Sequence, residues 1–193
     1  MHSAENLPVF TIGHSNRTIS AFVDLLRAGA VQHVVDIRRF PRSRANPGYN
    51  ADILPDELAR YGISHARIEE LGGRRAHAKD VPPEVNAFWI NRSFHNYADY
   101  ALSASFRSGL DDLLEMAKAR RTGIMCAEAL WWRCHRRIVA DYLMNAGRAV
   151  FHLMAVDKVT PAAMTGAAVP AEDGLRYPAS RGATPPASQG RKV

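Results

Sequence analysis

Two cysteines are the whole thiol complement of this 193-residue chain, too few for the disulfide framework that holds a small secreted domain together. No stretch approaches the ~18 consecutive apolar residues that a membrane helix needs. The opening MHSAENLPVFTIG has no basic segment ahead of a long apolar core, so neither a membrane span nor a secretory signal is expected. The expected setting is the cytoplasm, where thiols stay reduced. Three familiar site motifs are missing as well: GxGxxG, GxxxxGK followed by Ser or Thr, and HExxH. Dinucleotide, P-loop and HExxH zinc chemistry therefore have no sequence support. Acid is short relative to base, 19 Asp and Glu against 25 Lys and Arg, for a net charge of +6. The balance fits either a scattered basic surface or an anionic partner, and the placement of the charges has to decide.

The composition, 47% hydrophobic and 23% charged, is that of a folded domain with a sizeable core. LPVFTIG reads as a short buried strand ending at Gly13. In TISAFVDLLRAGA, residues Ile19, Phe22, Val23, Leu25 and Leu26 share one helical face, with Thr18 or Ser20 as N-cap and Gly29 at the end. VQHVVDI is a second strand, RRFPRSRANPGYN a loop, ADILPDELARYG a helix stopping at Gly62, and ISHARI a third strand. Two helices in series follow in NYADYAL and SFRSGLDDLLEMAKARR. TGIMCAE is a fourth strand, WWRCHRRIVADYLMNAGR a helix stopped by Gly147, and AVFHLMAV a fifth strand. This alternation predicts an α/β fold: an open, mainly parallel five-stranded sheet with helices on both faces, a Rossmann-like three-layer arrangement. The single domain is expected over residues 7–156. Residues 76–95 show no period and read as an excursion. Residues 157–193, with five prolines and a single aromatic, Tyr177, read as an irregular or partly disordered tail.

In such a sheet, ligands bind beyond the carboxyl ends of the strands. Gly13, His14 and Ser15 follow the first strand, Asp36 and Arg38 the second, Gly72 to Arg75 the third, and Cys126 and Glu128 the fourth. If the strands are parallel, all face one rim. RRFPRSR carries four arginines and no acid, a pattern suited to paired N–H recognition of phosphate or carboxylate. The predicted start of a helix near Arg133 adds the positive end of a dipole. A solvated loop with Arg38 paired to Asp36 or Glu128 is the plainer alternative. His14, Asp36 and Glu128 suit proton transfer. Equally, His14 can stitch two loops through Asp36, and the two carboxylates can orient Arg38 and His14.

Cys134, between Arg133 and His135 in the expected first helical turn, has the setting of an activated nucleophile. Cys126, at the end of an apolar strand, better suits core packing. His14, Cys126, Cys134 and His135 offer four soft donors, but the C-x7-C spacing differs from the usual zinc hairpin. Adjacent Cys134 and His135 would also diverge from a helix. No metal and no other cofactor is predicted on this basis. Trp131 and Trp132 are expected to pack against the core or cover the site.

TIGHSNRT, VVDIRRFPRSR, YGISHARIEELGG and IMCAEALWWRCHRRIVADYL together resemble the domain-of-unknown-function family 488. Its pattern falls on Gly13, His14 and Ser15; Asp36, Arg38, Pro41 and Ser43; Leu71, Gly72 and Gly73; and Cys126, Glu128, Cys134, His135 and Arg136. The resemblance runs from about residue 9 to residue 156. It implies an α/β fold with these motifs around one pocket, and it implies no activity.

The expected function is hydrolysis or group transfer on an anionic, phosphate-bearing substrate such as a nucleotide or nucleic acid. His14, Asp36, Glu128, Cys134 and His135 are the catalytic candidates. Ser15, Arg38, Arg42, Ser43, Gly72, Gly73 and Arg136 are the substrate-binding candidates. Two alternatives are a non-catalytic nucleotide or nucleic-acid binding module and a thiol-based metal or redox protein.

Overall fold

The computed structural model describes residues 7–179. Among the described residues the main sheet has six strands in the order β3-β2-β4-β1-β5-β6. They are β1 (Val9–Gly13), β2 (His33–Asp36), β3 (Ser64–Arg67), β4 (Thr122–Cys126), β5 (Val150–Ala155) and β6 (Lys158–Pro161). The first five run parallel, so their carboxyl ends share one edge, and β6 returns antiparallel to β5. The open, mainly parallel α/β sheet is therefore present, with one strand more than the five expected.

Helices α1 (Ile19–Ala28) and α2 (Leu54–Ala59) cover one face, and α3 (Arg92–Tyr100), α4 (Ala104–Ala119) and α5 (Arg136–Asn145) the other. Alternating strand residues serve the two layers. Phe10, Ile12, Val34, Met125 and Leu153 pack under α1 and α2, whereas Val9, Val35, Ile124 and Val150 pack under α3 to α5. Local signals set the helix starts. The Thr18 hydroxyl accepts from Ala21 N at 3.2 Å, and the Ser103 hydroxyl from Phe106 N at 3.2 Å. Among the described residues no helix is long and apolar enough to cross a membrane.

One expectation is corrected. Residues 158–176 are not irregular: β6 is followed by a small hairpin of β7 (Val169–Ala171) and β8 (Gly174–Arg176). Leu175 and Tyr177 are fully buried in the α3–α5 layer. Three-residue strands are too short to display a period, which is why composition suggested a loose tail. The expected disorder at the chain end falls on residues 180–193, outside the described residues. The excursion at 76–95 is likewise anchored. Trp89 stacks on Phe94 at 5.0 Å, and the Asn86 side chain accepts from Tyr177 N at 3.0 Å.

Tyr177 also donates its hydroxyl to Asp141 Oδ2 at 3.0 Å inside the core. Tyr177→Phe removes only that donor and leaves the ring in place. Its expected cost is about 1–2 kcal/mol, the usual penalty for a buried acceptor left unsatisfied. Chemical denaturation of the two proteins checks it, and equal midpoints would show that water replaces the hydroxyl.

Candidate functional site

The parallel register puts the ends of β1, β2 and β4 side by side, and Gly13 pairs with Cys126 at the last rung. Beyond that rung His14 N donates to Cys126 O and Ser15 N to Ala127 O, both at 2.9 Å, so the two loops leave the sheet zipped together. Gly13 is required for this contact. A Cβ there would lie 2.0 Å from Glu128 O.

Asp36, fully buried at the end of β2, accepts four hydrogen bonds from three donor groups of Arg38, the Nε–H being shared with Oδ2 at 3.1 Å. Arg38 N reaches Oδ1 at 2.9 Å, Nε the same oxygen at 2.9 Å, and Nη2 the other oxygen at 2.6 Å. The guanidinium also donates to Tyr49 O at 2.5 Å and, through Nη1, to His14 Nε2 at 3.3 Å. His14 gives its Nδ1 proton to Ser15 O at 2.8 Å, so the neutral ring accepts at Nε2. Its ring lies flat on Tyr49, 4.1 Å between centroids. Burial, reinforced by the Arg38 charge, lowers the His14 pKa to about 4. His14 thus stitches the loops through Arg38, and Asp36 orients Arg38. Both carboxylate oxygens and both ring nitrogens are engaged.

In front of this buried lattice lies a cavity of about 640 Å³. Among the described residues five arginines line it, Arg38, Arg39, Arg42, Arg74 and Arg133, against a single carboxylate, Glu128. Phe40, 66% exposed, stands at its rim, and Phe94 and Tyr97 of α3 contribute an aromatic wall. Its remaining chemistry is Cys126, Cys134 and His135. The ligating atoms of these three residues lie within 4.8 Å of one another.

The segment that delivers Cys134 differs from expectation. Residues Trp131–Arg133 form a 3-10 turn, Cys134 is extended (φ −126°, ψ 147°), and α5 begins only at Arg136. Two contacts hold the chain out of the helix. Trp131 stacks on His152 of β5 at 4.1 Å, and Arg136 reaches back to Glu128 O. Cys134 and His135 consequently converge. His135 Nδ1 is 3.5 Å from Cys134 Sγ and 4.0 Å from Cys126 Sγ. The other ring nitrogen donates to Ile37 O at 3.1 Å, which leaves the Nδ1 lone pair facing the thiols. Gly73 makes room for that ring, since a Cβ there would lie 2.8 Å from Nδ1. The helix start is not a source of free N–H groups at residues 137 and 138, because these donate to Cys134 O and His135 O.

Arg136, 1% exposed, stands behind the cluster and donates Nε–H to Cys134 Sγ at 3.3 Å. Burial opposes ionisation of Cys134. The hydrogen bond from Cys126 and the neighbouring His135 and Arg136 outweigh it and hold this thiol well below the ordinary range. Cys126 is pushed well above that range by its hydrogen bond to Cys134, by burial and by the Cys134 charge.

Of the residues singled out in the sequence, Arg38, Arg42, Gly73, Cys126, Glu128, Cys134 and His135 reach the cavity. His14, Asp36 and Arg136 are buried behind it. Ser15 and Ser43 shape the loops: Ser15 O accepts from the Asn46 amide, and the Ser43 hydroxyl from Asn46 N. Gly72 packs against the Arg39 backbone. Ser93, Phe94 and Tyr97 were not anticipated, because they lie on α3 outside any motif.

The family model described as Domain of unknown function DUF488 matches residues 18–143. No curated protein and no solved structure matches the chain.

Proposed function

Since the chain belongs to the DUF488 family, whose description names no activity, we propose its function from the site itself: an enzyme that hydrolyses, or transfers a group from, an anionic phosphate-bearing substrate. One observation carries the reading. Five arginines surround a cavity whose floor holds both thiols of the chain and His135. Asp36 already offsets Arg38, but Arg39, Arg42, Arg74 and Arg133 bring a surplus of positive charge to one concave surface that an anion would offset, and guanidinium groups suit phosphate oxygens. Arg42, Arg74 and Arg133 are exposed and supply the anion contacts. Arg38 is fixed by Asp36 and His14 and presents a rigid edge. Phe40 and Phe94 give a nucleobase apolar surface to lie on. Glu128 Oε1 accepts from Leu130 N at 3.1 Å, which holds the one carboxylate that lines this cavity among the described residues in place for proton transfer.

The test uses pyrophosphate and a panel of nucleotides and dinucleotides as probes. Arg42→Ala with Arg74→Ala is expected to weaken binding at least about tenfold, and added salt to weaken the wild type. Glu128→Gln keeps the Leu130 contact and is expected to lower turnover about a hundredfold or more with affinity unchanged. Binding without turnover would remove the enzymatic part and leave a binding module. Binding indifferent to both arginines would overturn the whole reading.

A further inference from the structure

We propose that Cys126, Cys134 and His135 form a three-ligand site for a divalent zinc-type ion, with a fourth coordination position open to the arginine-lined cavity. Zinc bonds of about 2.3 Å to sulfur and about 2.0–2.1 Å to nitrogen, at tetrahedral angles, place ligand atoms roughly 3.5–3.8 Å apart. The observed Nδ1–Sγ separations are 3.5 and 4.0 Å, against about 3.5 Å for an N–S edge, and all three ligand atoms lie within 4.8 Å of one another, so small side-chain rotations close the rest.

The surroundings point the same way. A metal-binding histidine is normally held by a hydrogen bond from its second nitrogen, and His135 makes one to Ile37 O at 3.1 Å. That bond fixes the tautomer whose lone pair faces the two sulfurs. Arg136 Nε–H donates to Cys134 Sγ, which supports a thiolate without competing for the metal. Among the described residues no other His, Cys, Asp or Glu joins the group. Three ligands and an open position characterise catalytic rather than structural zinc. Two thiolates and a neutral imidazole give a neutral complex, and its formation releases the thiol proton of Cys126.

The catalytic role of the site rests on the anionic-substrate reading, whereas binding of the ion does not. Water at the open position is acidified by the metal. Glu128 takes its proton, and the resulting hydroxide forms a bond to the phosphorus of the anion held by the arginines. The bond to the leaving oxygen breaks, and Glu128 returns the proton to that oxygen.

The site is tested without substrate, so its failure is separable from that of the anion reading. Untagged, reduced, metal-stripped protein is titrated with Co2+ and then Zn2+. The expected result is one Co2+ per chain, with thiolate charge-transfer absorption and the visible bands of a tetrahedral complex, displaced by Zn2+. Cys126→Ser and Cys134→Ser should each abolish the thiolate-rich spectrum. On the unmodified protein, Zn2+ should slow alkylation of both thiols at least about tenfold. This measurement does not depend on any variant folding. A Co2+ spectrum that survives in both serine variants would overturn the site. So would alkylation of Cys134 that is unchanged by metal, which would instead identify that thiol as a free nucleophile.

Discussion

Asp36→Asn is expected to destabilise the protein by about 3–5 kcal/mol, the range for a buried ion pair that loses one partner. Arg38 is 5% exposed and Asp36 fully buried, with Nη2 and Oδ2 2.6 Å apart. Asparagine has nearly the same shape, but it removes the charge and replaces one acceptor oxygen by a donor. The guanidinium is then left buried without a counterion. Its other partners are Tyr49 O and His14 Nε2, both neutral. Asp36→Leu combined with Arg38→Met should lose less than the single substitution, because no charge remains to be solvated. Denaturant unfolding with an unchanged slope measures the difference. A loss below about 1 kcal/mol would mean that Arg38 swings out to water in the cavity, against its assignment as a fixed edge.

Gly13→Ala is expected to cost about 3 kcal/mol, the upper part of the range for overpacking. The added carbon would meet three backbone atoms, Glu128 O at 2.0 Å, Glu128 C at 2.7 Å and Ala129 Cα at 2.8 Å, none of which can rotate away. The 126–129 segment must therefore move off β1, against the hydrogen bonds from His14 N and Ser15 N that zip it there. Movement propagates to the thiols, because Glu128 O also accepts from Arg136, whose Nε donates to Cys134. Loss of stability should accordingly coincide with altered alkylation of Cys134. A variant that unfolds at the wild-type midpoint would show that this segment yields freely.

Much of the architecture was legible. Phe22, Val23, Leu25 and Leu26 announced α1 by spacing, and the valine-rich run around Val34 and the apolar run around Ile124 announced strands. The edge where the chemistry gathers followed from parallel strands alone. Other features were not legible. Lys158–Pro161 and Gly174–Arg176 are too short to carry a period, so β6 and β8 were hidden. The segment from Trp131 to Arg148 was expected to be one helix stopped by Gly147, and a contact that interrupts its start comes from His152, 21 residues beyond Trp131.

The sequence by itself determined the layered α/β sheet and the set of motif residues at its carboxyl edge, since period and turn chemistry act over a few neighbouring residues. Only the tertiary structure decided which of those residues face the cavity. His14, Asp36 and Arg136 share motifs with Arg38 and Cys134, yet their hydrogen-bond partners turn them into the protein: Arg38, from another loop, for His14, and Glu128 O, just past the end of the preceding strand, for Arg136. Cys126, Cys134 and His135 meet because a 3-10 turn and one extended residue replace the first turns of a helix. Side-chain direction at a strand end is set by hydrogen bonds between loops distant in sequence, and spacing within any one loop does not encode it.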